Sequence, residues 1–88
     1  MVQELKEKGN ECFRLGNYEE AVKAYTQAIN SSEQVNQSFL SQLYSNRALC
    51  YKKLSNYETC RTDSIEAIEL DEKNNKAHLL CGQAYLEL

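Results

Sequence analysis

The chain is 88 residues long, with 42% hydrophobic and 26% charged side chains and a formal net charge of −3. That length allows one domain with a modest core, since a chain of this size hides roughly 60 to 65% of its unfolded surface. The acidic balance excludes a general nucleic-acid binder, which shows a basic excess, and no apolar run approaches the roughly 18 residues of a membrane span, so a cytoplasmic protein without a membrane partner is expected.

There is no Pro and no Trp, and only three Gly are present. Such a composition favours helices over a sandwich or barrel, which needs many turns. The first predicted helix covers about 2–15 and holds an oddity, the Gly9-Asn10 pair in KEKGNECF. Glycine in a helix interior costs roughly 1 kcal/mol relative to alanine, and asparagine also ranks poorly, so the pair needs a packing or binding reason. Gly16-Asn17 reads as a tight turn, followed by a second helix over about 18–31. After the polar stretch SSEQVNQSFL come a third helix over about 39–54, a Ser55-Asn56 turn and a fourth helix over about 57–70. ELDEK (69–73) reads as a solvated turn before a fifth helix over about 75–87.

Residue types that carry chemistry are sparse. Cys12, Cys50, Cys60 and Cys81 include no CxxC-type pair. Each falls at a small or apolar position of the helical pattern, so buried, reduced thiols are expected and no metal or cofactor is. His78 is the single histidine and has no nearby partner for metal binding or nucleophilic catalysis, which leaves a packing role. No paired carboxylates, nucleophile with base or phosphate loop is present, so the reading is non-enzymatic.

Repetition is the strongest signal. GNYEEAVKAYTQAI (16–29) matches SNYETCRTDSIEAI (55–68) at an offset of 39 residues, and NRALCYKKL (46–54) echoes LLCGQAYLEL (79–88) at an offset of 34. A period of about 34 residues is that of the tetratricopeptide repeat, with its pattern W-x-x-L-G-x-x-Y, then A-x-x-x-F, then A and P. The chain resembles this family throughout. Repeat one reads Leu5-x-x-Lys8-Gly9-x-x-Cys12, then Ala21-x-x-x-Tyr25 and Ala28; repeat two reads Tyr44-x-x-Arg47-Ala48-x-x-Tyr51, then Cys60-x-x-x-Ser64 and Ala67. A third opens with His78-x-x-Cys81-Gly82-x-x-Tyr85.

The resemblance implies an all-α solenoid of antiparallel helix-turn-helix units, about five helices or two and a half repeats. One domain would span 1–88, with repeat one at about 2–35, an insertion at about 31–40, repeat two at about 41–74 and the first helix of repeat three at about 75–88. Glu33 and Glu72 stand where the pattern closes with Pro. Gly9, Ala48 and Gly82 are then the small positions that let a partner helix approach, and His78 takes a large-residue position. The last helix would expose Leu79, Tyr85 and Leu86, a face that another chain or self-association would cover.

Within the family, the set Lys6, Asn10, Asn46 and Lys76 is similar to the carboxylate clamp of co-chaperone domains, which holds the Glu-Glu-Val-Asp tail of heat-shock proteins 70 and 90. Lys6 and Asn10 are four apart and share a helix face, and ammonium and amide donors suit both carboxylates of a chain-ending aspartate. The resemblance further implies that Phe13 and Leu49 meet an apolar side chain of the peptide, a place in the core being the alternative for both. It puts Lys53 near an acidic residue upstream in the tail. Leu80 stands where a fifth clamp cation is common, suggesting an apolar contact instead. QELKEKGN, NRALCYKKL and AIELDEKNNKAHLLCGQAYLEL are most similar to the amino-terminal domains of chaperone-associated ubiquitin ligases of the CHIP type, with chaperone-organising proteins as rivals. A scaffold that binds no carboxylate is the alternative function.

Overall fold

The computed structural model describes residues 2–31 and 36–88, so the insertion read at about 31–40 lies partly, and Glu33 wholly, outside the described residues. Among the described residues five helices follow one another: α1 (Val2–Arg14), α2 (Tyr18–Asn30), α3 (Gln37–Lys53), α4 (Tyr57–Leu70) and α5 (Asn75–Glu87). Each packs against its neighbours in sequence, and α3 also touches α5. The fold is an all-α repeat solenoid, and among the described residues there is no strand.

The turns inside the repeats share one hydrogen-bond pattern. Gly16 N donates to Phe13 O at 3.0 Å and Asn17 N to Cys12 O at 2.8 Å; Ser55 N donates to Lys52 O at 2.9 Å and Asn56 N to Tyr51 O at 2.8 Å. This paired bonding is the Schellman closure, which needs a left-handed residue after the helix. Gly16 supplies it at φ 80° and Ser55 at φ 61°. The third helix starts two residues earlier than its apolar pattern suggested, because the Asn36 side chain accepts from Phe39 N at 2.7 Å and caps it.

Small residues allow the close packing. Ala21, Ala28, Ala48, Cys60, Ala67, Ala77 and Ala84 are all fully buried. One core cluster joins Ala21, Tyr25, Ala28, Leu43 and Cys50, and a second joins Ala48, Cys60, Leu80 and Ala84. At Gly9 a Cβ would lie 2.6 Å from Tyr25 Cε1, so only glycine fits. At Gly82 a Cβ would meet nothing within 4 Å. Among the described residues nothing packs on Gly82, so the expected packing role is not seen there. His78, expected to pack, is exposed, with a ring nitrogen 2.8 Å from Glu72 O.

Two polar devices tie the repeats together. The Arg47 guanidinium donates to both Asp63 carboxylate oxygens, at 2.7 and 2.9 Å, and to Thr26 Oγ1 at 3.1 Å, joining α2, α3 and α4. Burial opposes the Arg47 charge, but the Asp63 bonds outweigh it and hold the guanidinium above its usual range. Asn74 caps α5 by accepting from Ala77 N at 3.0 Å while its amide nitrogen donates to Ser41 Oγ at 2.9 Å. That fixes the start of α5 against α3 two residues before Lys76. All four thiols are free, Cys50 and Cys60 being buried and Cys12 and Cys81 half-buried. Burial pushes the Cys50 thiol up to about 12, which keeps it protonated.

Candidate peptide-binding groove

The first helices of the repeats, α1, α3 and α5, present neighbouring faces, and three-residue spacing on α1 and α3 decides what reaches the space between them. On α1, Asn10 and Phe13 point there; on α3, Asn46 and Leu49; on α5, Lys76. Together with Tyr25 from α2 they line an open cavity of about 190 Å³, enough for a carboxylate and a small side chain. None of these six residues is acidic.

Hydrogen bonds set the polarity of the cavity. Lys76 Nζ donates to Asn46 Oδ1 at 2.6 Å, and the buried Tyr25 hydroxyl donates to Asn10 Oδ1. Among the described residues, neither amide nitrogen of these asparagines donates a hydrogen bond, so both are available to an acceptor. Lys6 stands beside the cavity rather than in its lining: its Nζ donates to Gln42 Oε1 at 2.7 Å and lies 5.0 Å from the Phe39 ring centroid.

Neither Lys6 nor Lys76 is paired with a carboxylate among the described residues; each ammonium rests on a neutral amide oxygen. Lys76 is an exposed residue whose side chain lines the groove. Burial there holds its pKa below the usual lysine range, and the nearby charge of Lys6 lowers it further. An anion placed between them would relieve both effects.

The structure thus brings Asn10, Asn46 and Lys76 together with Phe13 and Leu49, and places Lys6 at the rim. Phe13 and Leu49 are half-buried, each packing on a core cluster while facing the cavity. Lys53 is exposed and lies off the cavity. Leu80, expected at the groove, is 3% exposed and belongs to the second core cluster. A leucine gains more from burial beside Ala48 and Cys60 than from facing a wet groove. Sequence reasoning missed Tyr25 and Gln42 as partners of Asn10 and Lys6. The only available signal was a tyrosine where the repeat pattern accepts phenylalanine.

Comparison with known proteins gives the family of the chain. Tetratricopeptide repeat models match residues 2–34 and 41–74. Human tetratricopeptide repeat protein 12 is 40% identical over 88 residues, covering 100% of this chain and 12% of that protein. The E3 ubiquitin-protein ligase CHIP of Arabidopsis thaliana is 37% identical over 87 residues, covering 99% of this chain and 30% of that protein. The chain therefore spans less than a third of either relative's length. Among solved structures, the second tetratricopeptide domain of Spaghetti (RPAP3), bound to the HSP90 peptide SRMEEVD, has a TM-score of 0.86 and 34% identity, covering 97% of this chain and 74% of that one. The second such domain of human RPAP3, in complex with the HSP70 peptide SGPTIEEVD, has a TM-score of 0.79 and 36% identity, covering 91% of this chain and 62% of that one. Sequence, fold and helix order agree: the chain belongs to the tetratricopeptide repeat family, a family of protein-interaction modules.

Proposed function

We propose that this domain binds the acidic carboxy-terminal tail of a heat-shock protein of the 70 or 90 class through a carboxylate clamp. The observation that carries the reading is the groove itself. Asn10, Asn46 and Lys76 converge in it, Lys6 stands at its rim, and no acidic residue among the described ones lines it. Lys6 leaves its neutral partner, and Lys76, keeping Asn46 Oδ1 with one hydrogen, turns its remaining hydrogens to the carboxylates of a terminal aspartate, while the Asn10 and Asn46 amides donate to the same oxygens. Phe13 and Leu49 form an apolar wall for a valine side chain, and Lys53 meets an upstream glutamate. Leu80, being core, has no part in the contact.

The similar domains solved with peptides ending in EEVD support this reading. The likeness to CHIP supports a co-chaperone role in the cytoplasm, in which the domain brings a chaperone to activities carried elsewhere in a longer protein. A second reading rests on α5, where Leu79, Tyr85 and Leu86 are 61%, 69% and 85% exposed. These side chains suit a scaffold that assembles partners through its end.

Titration of the 15N-labelled domain with an acetylated peptide ending in Glu-Glu-Val-Asp separates the two. The clamp predicts saturable shifts in the Asn10 and Asn46 side-chain amides. Shifts confined to α5 would instead favour the scaffold.

A further inference from the structure

Asn10 is the first donor of the proposed groove, and its use depends on which way its amide faces. An asparagine amide presents an acceptor oxygen on one side and two donor hydrogens on the other. Turned one way it holds an anion; turned the other it repels one. On an exposed helix face such as that of Asn10, rotation of the amide costs little unless a neighbour fixes it.

The neighbour is Tyr25, the α2 residue that lines the cavity. Its ring is 2% exposed and packs on the bare backbone at Gly9, where an added Cβ would come within 2.6 to 2.8 Å of three ring atoms. The hydroxyl at the end of this clamped ring donates to Asn10 Oδ1. Burial, with the nearby thiols of Cys50 and Cys12 adding to it, raises the phenol pKa well above its ordinary value. The group therefore stays protonated and remains a donor through the whole physiological range. At the second asparagine the same task falls to Lys76, whose Nζ occupies Asn46 Oδ1. Repeat two has no counterpart of Tyr25: the matching position is Ser64, whose hydroxyl donates to Cys60 O at 2.7 Å within its own helix.

We propose that Tyr25 is a positioning residue of the groove, its hydroxyl holding the Asn10 amide so that Nδ2 faces the ligand and the groove offers an anion donors from both asparagines. This rests on the anion-binding reading given above and adds a specificity device to it. With Oδ1 occupied, Asn10 has only donors to offer, so a peptide ending in a carboxamide brings its own donors against donors. Without the hydroxyl, the Asn10 oxygen is free to swing inward and accept from that carboxamide. Tyr25 thus sets the preference for a free acid over an amide as well as the strength of binding.

The substitution that tests this is Tyr25→Phe, which keeps the ring against Gly9 and removes one oxygen. Affinity for an acetylated peptide ending in Glu-Glu-Val-Asp, and for the same peptide amidated at its end, would be measured calorimetrically in wild type, Tyr25→Phe, Asn10→Ala and the double variant. Loss of one oriented hydrogen bond should weaken acid binding by about 3- to 10-fold and narrow the ratio of acid to amide affinity. In the Asn10→Ala background the same change should do nothing, which a merely structural effect of Tyr25 would not reproduce. Unchanged acid affinity in Tyr25→Phe, or an equal loss in both backgrounds, would overturn the proposal. If the wild type binds neither peptide, the anion-binding reading falls, and positioning is judged by 15N relaxation of the Asn10 side-chain amide. A rigid amide in wild type that becomes mobile in Tyr25→Phe supports it, and equal mobility in the two overturns it.

Discussion

Gly9 and Gly82 hold the same place in the first and third repeats and meet opposite surroundings. A methyl at Gly9 would enter the Tyr25 ring, whereas one at Gly82 would meet nothing within 4 Å. Gly9→Ala should therefore lower the unfolding free energy by about 1 to 3 kcal/mol, overpacking outweighing the better helix propensity. Gly82→Ala should raise it by up to about 1 kcal/mol. Urea denaturation of the two variants reads both signs, and a stable Gly9→Ala domain would mean that Tyr25 can move aside. The Gly9-Asn10 oddity was legible in the sequence as an oddity, and the repeat gave a reason for its first half. Its second half, the Tyr25 hydroxyl on Asn10, joins residues fifteen apart on different helices and leaves no local pattern. Leu80 misled for a related reason. The family resemblance put it at a clamp position of the groove, but an apolar side chain at the edge of a groove turns to whichever neighbour is dry.

Among elements, the two Schellman turns close α1 and α3 with the same bonds but unequal comfort. Ser55 sits at φ 61°, where a side chain crowds the backbone, while Gly16 at φ 80° does not. Ser55→Gly should thus stabilise the domain by about 0.5 to 1 kcal/mol, measured by thermal melting, and a fall in stability would show that the serine side chain holds the turn. Both turns and all five helices were readable, since Gly-Asn, Ser-Asn and the apolar spacing are local signals. The Arg47–Asp63 pair was not. The repeat pattern asks for an apolar residue where Arg47 stands, and only the fold reveals a carboxylate, 5% exposed, waiting for it on α4. Asp63→Ala strands that guanidinium and should cost about 3 to 5 kcal/mol, whereas Arg47→Met with Asp63→Leu should recover most of the loss. Equal losses in the single and double variants would show that the pair contributes packing rather than charge.

Across the whole molecule, helices stacked 36 × 28 × 17 Å in extent carry two core clusters that meet along α3. The chain is acidic overall at −3, yet its groove gathers Lys76 and, at the rim, Lys6, with no acidic lining residue among those described. Local charge opposed to net charge is what a site for an acidic peptide requires, and composition alone could not have disclosed it. Electrostatic contacts at a half-open groove are screened by salt, so affinity for such a peptide should fall as ionic strength rises. The most direct measurement is a calorimetric titration of the folded domain with an acetylated peptide ending in Glu-Glu-Val-Asp and with the same peptide amidated at its carboxy terminus. Binding of the free acid that weakens at least about tenfold on amidation, the value of one charge-assisted hydrogen bond, is the expected result. Equal affinity for the two peptides, or no binding of either, would contradict a carboxylate clamp.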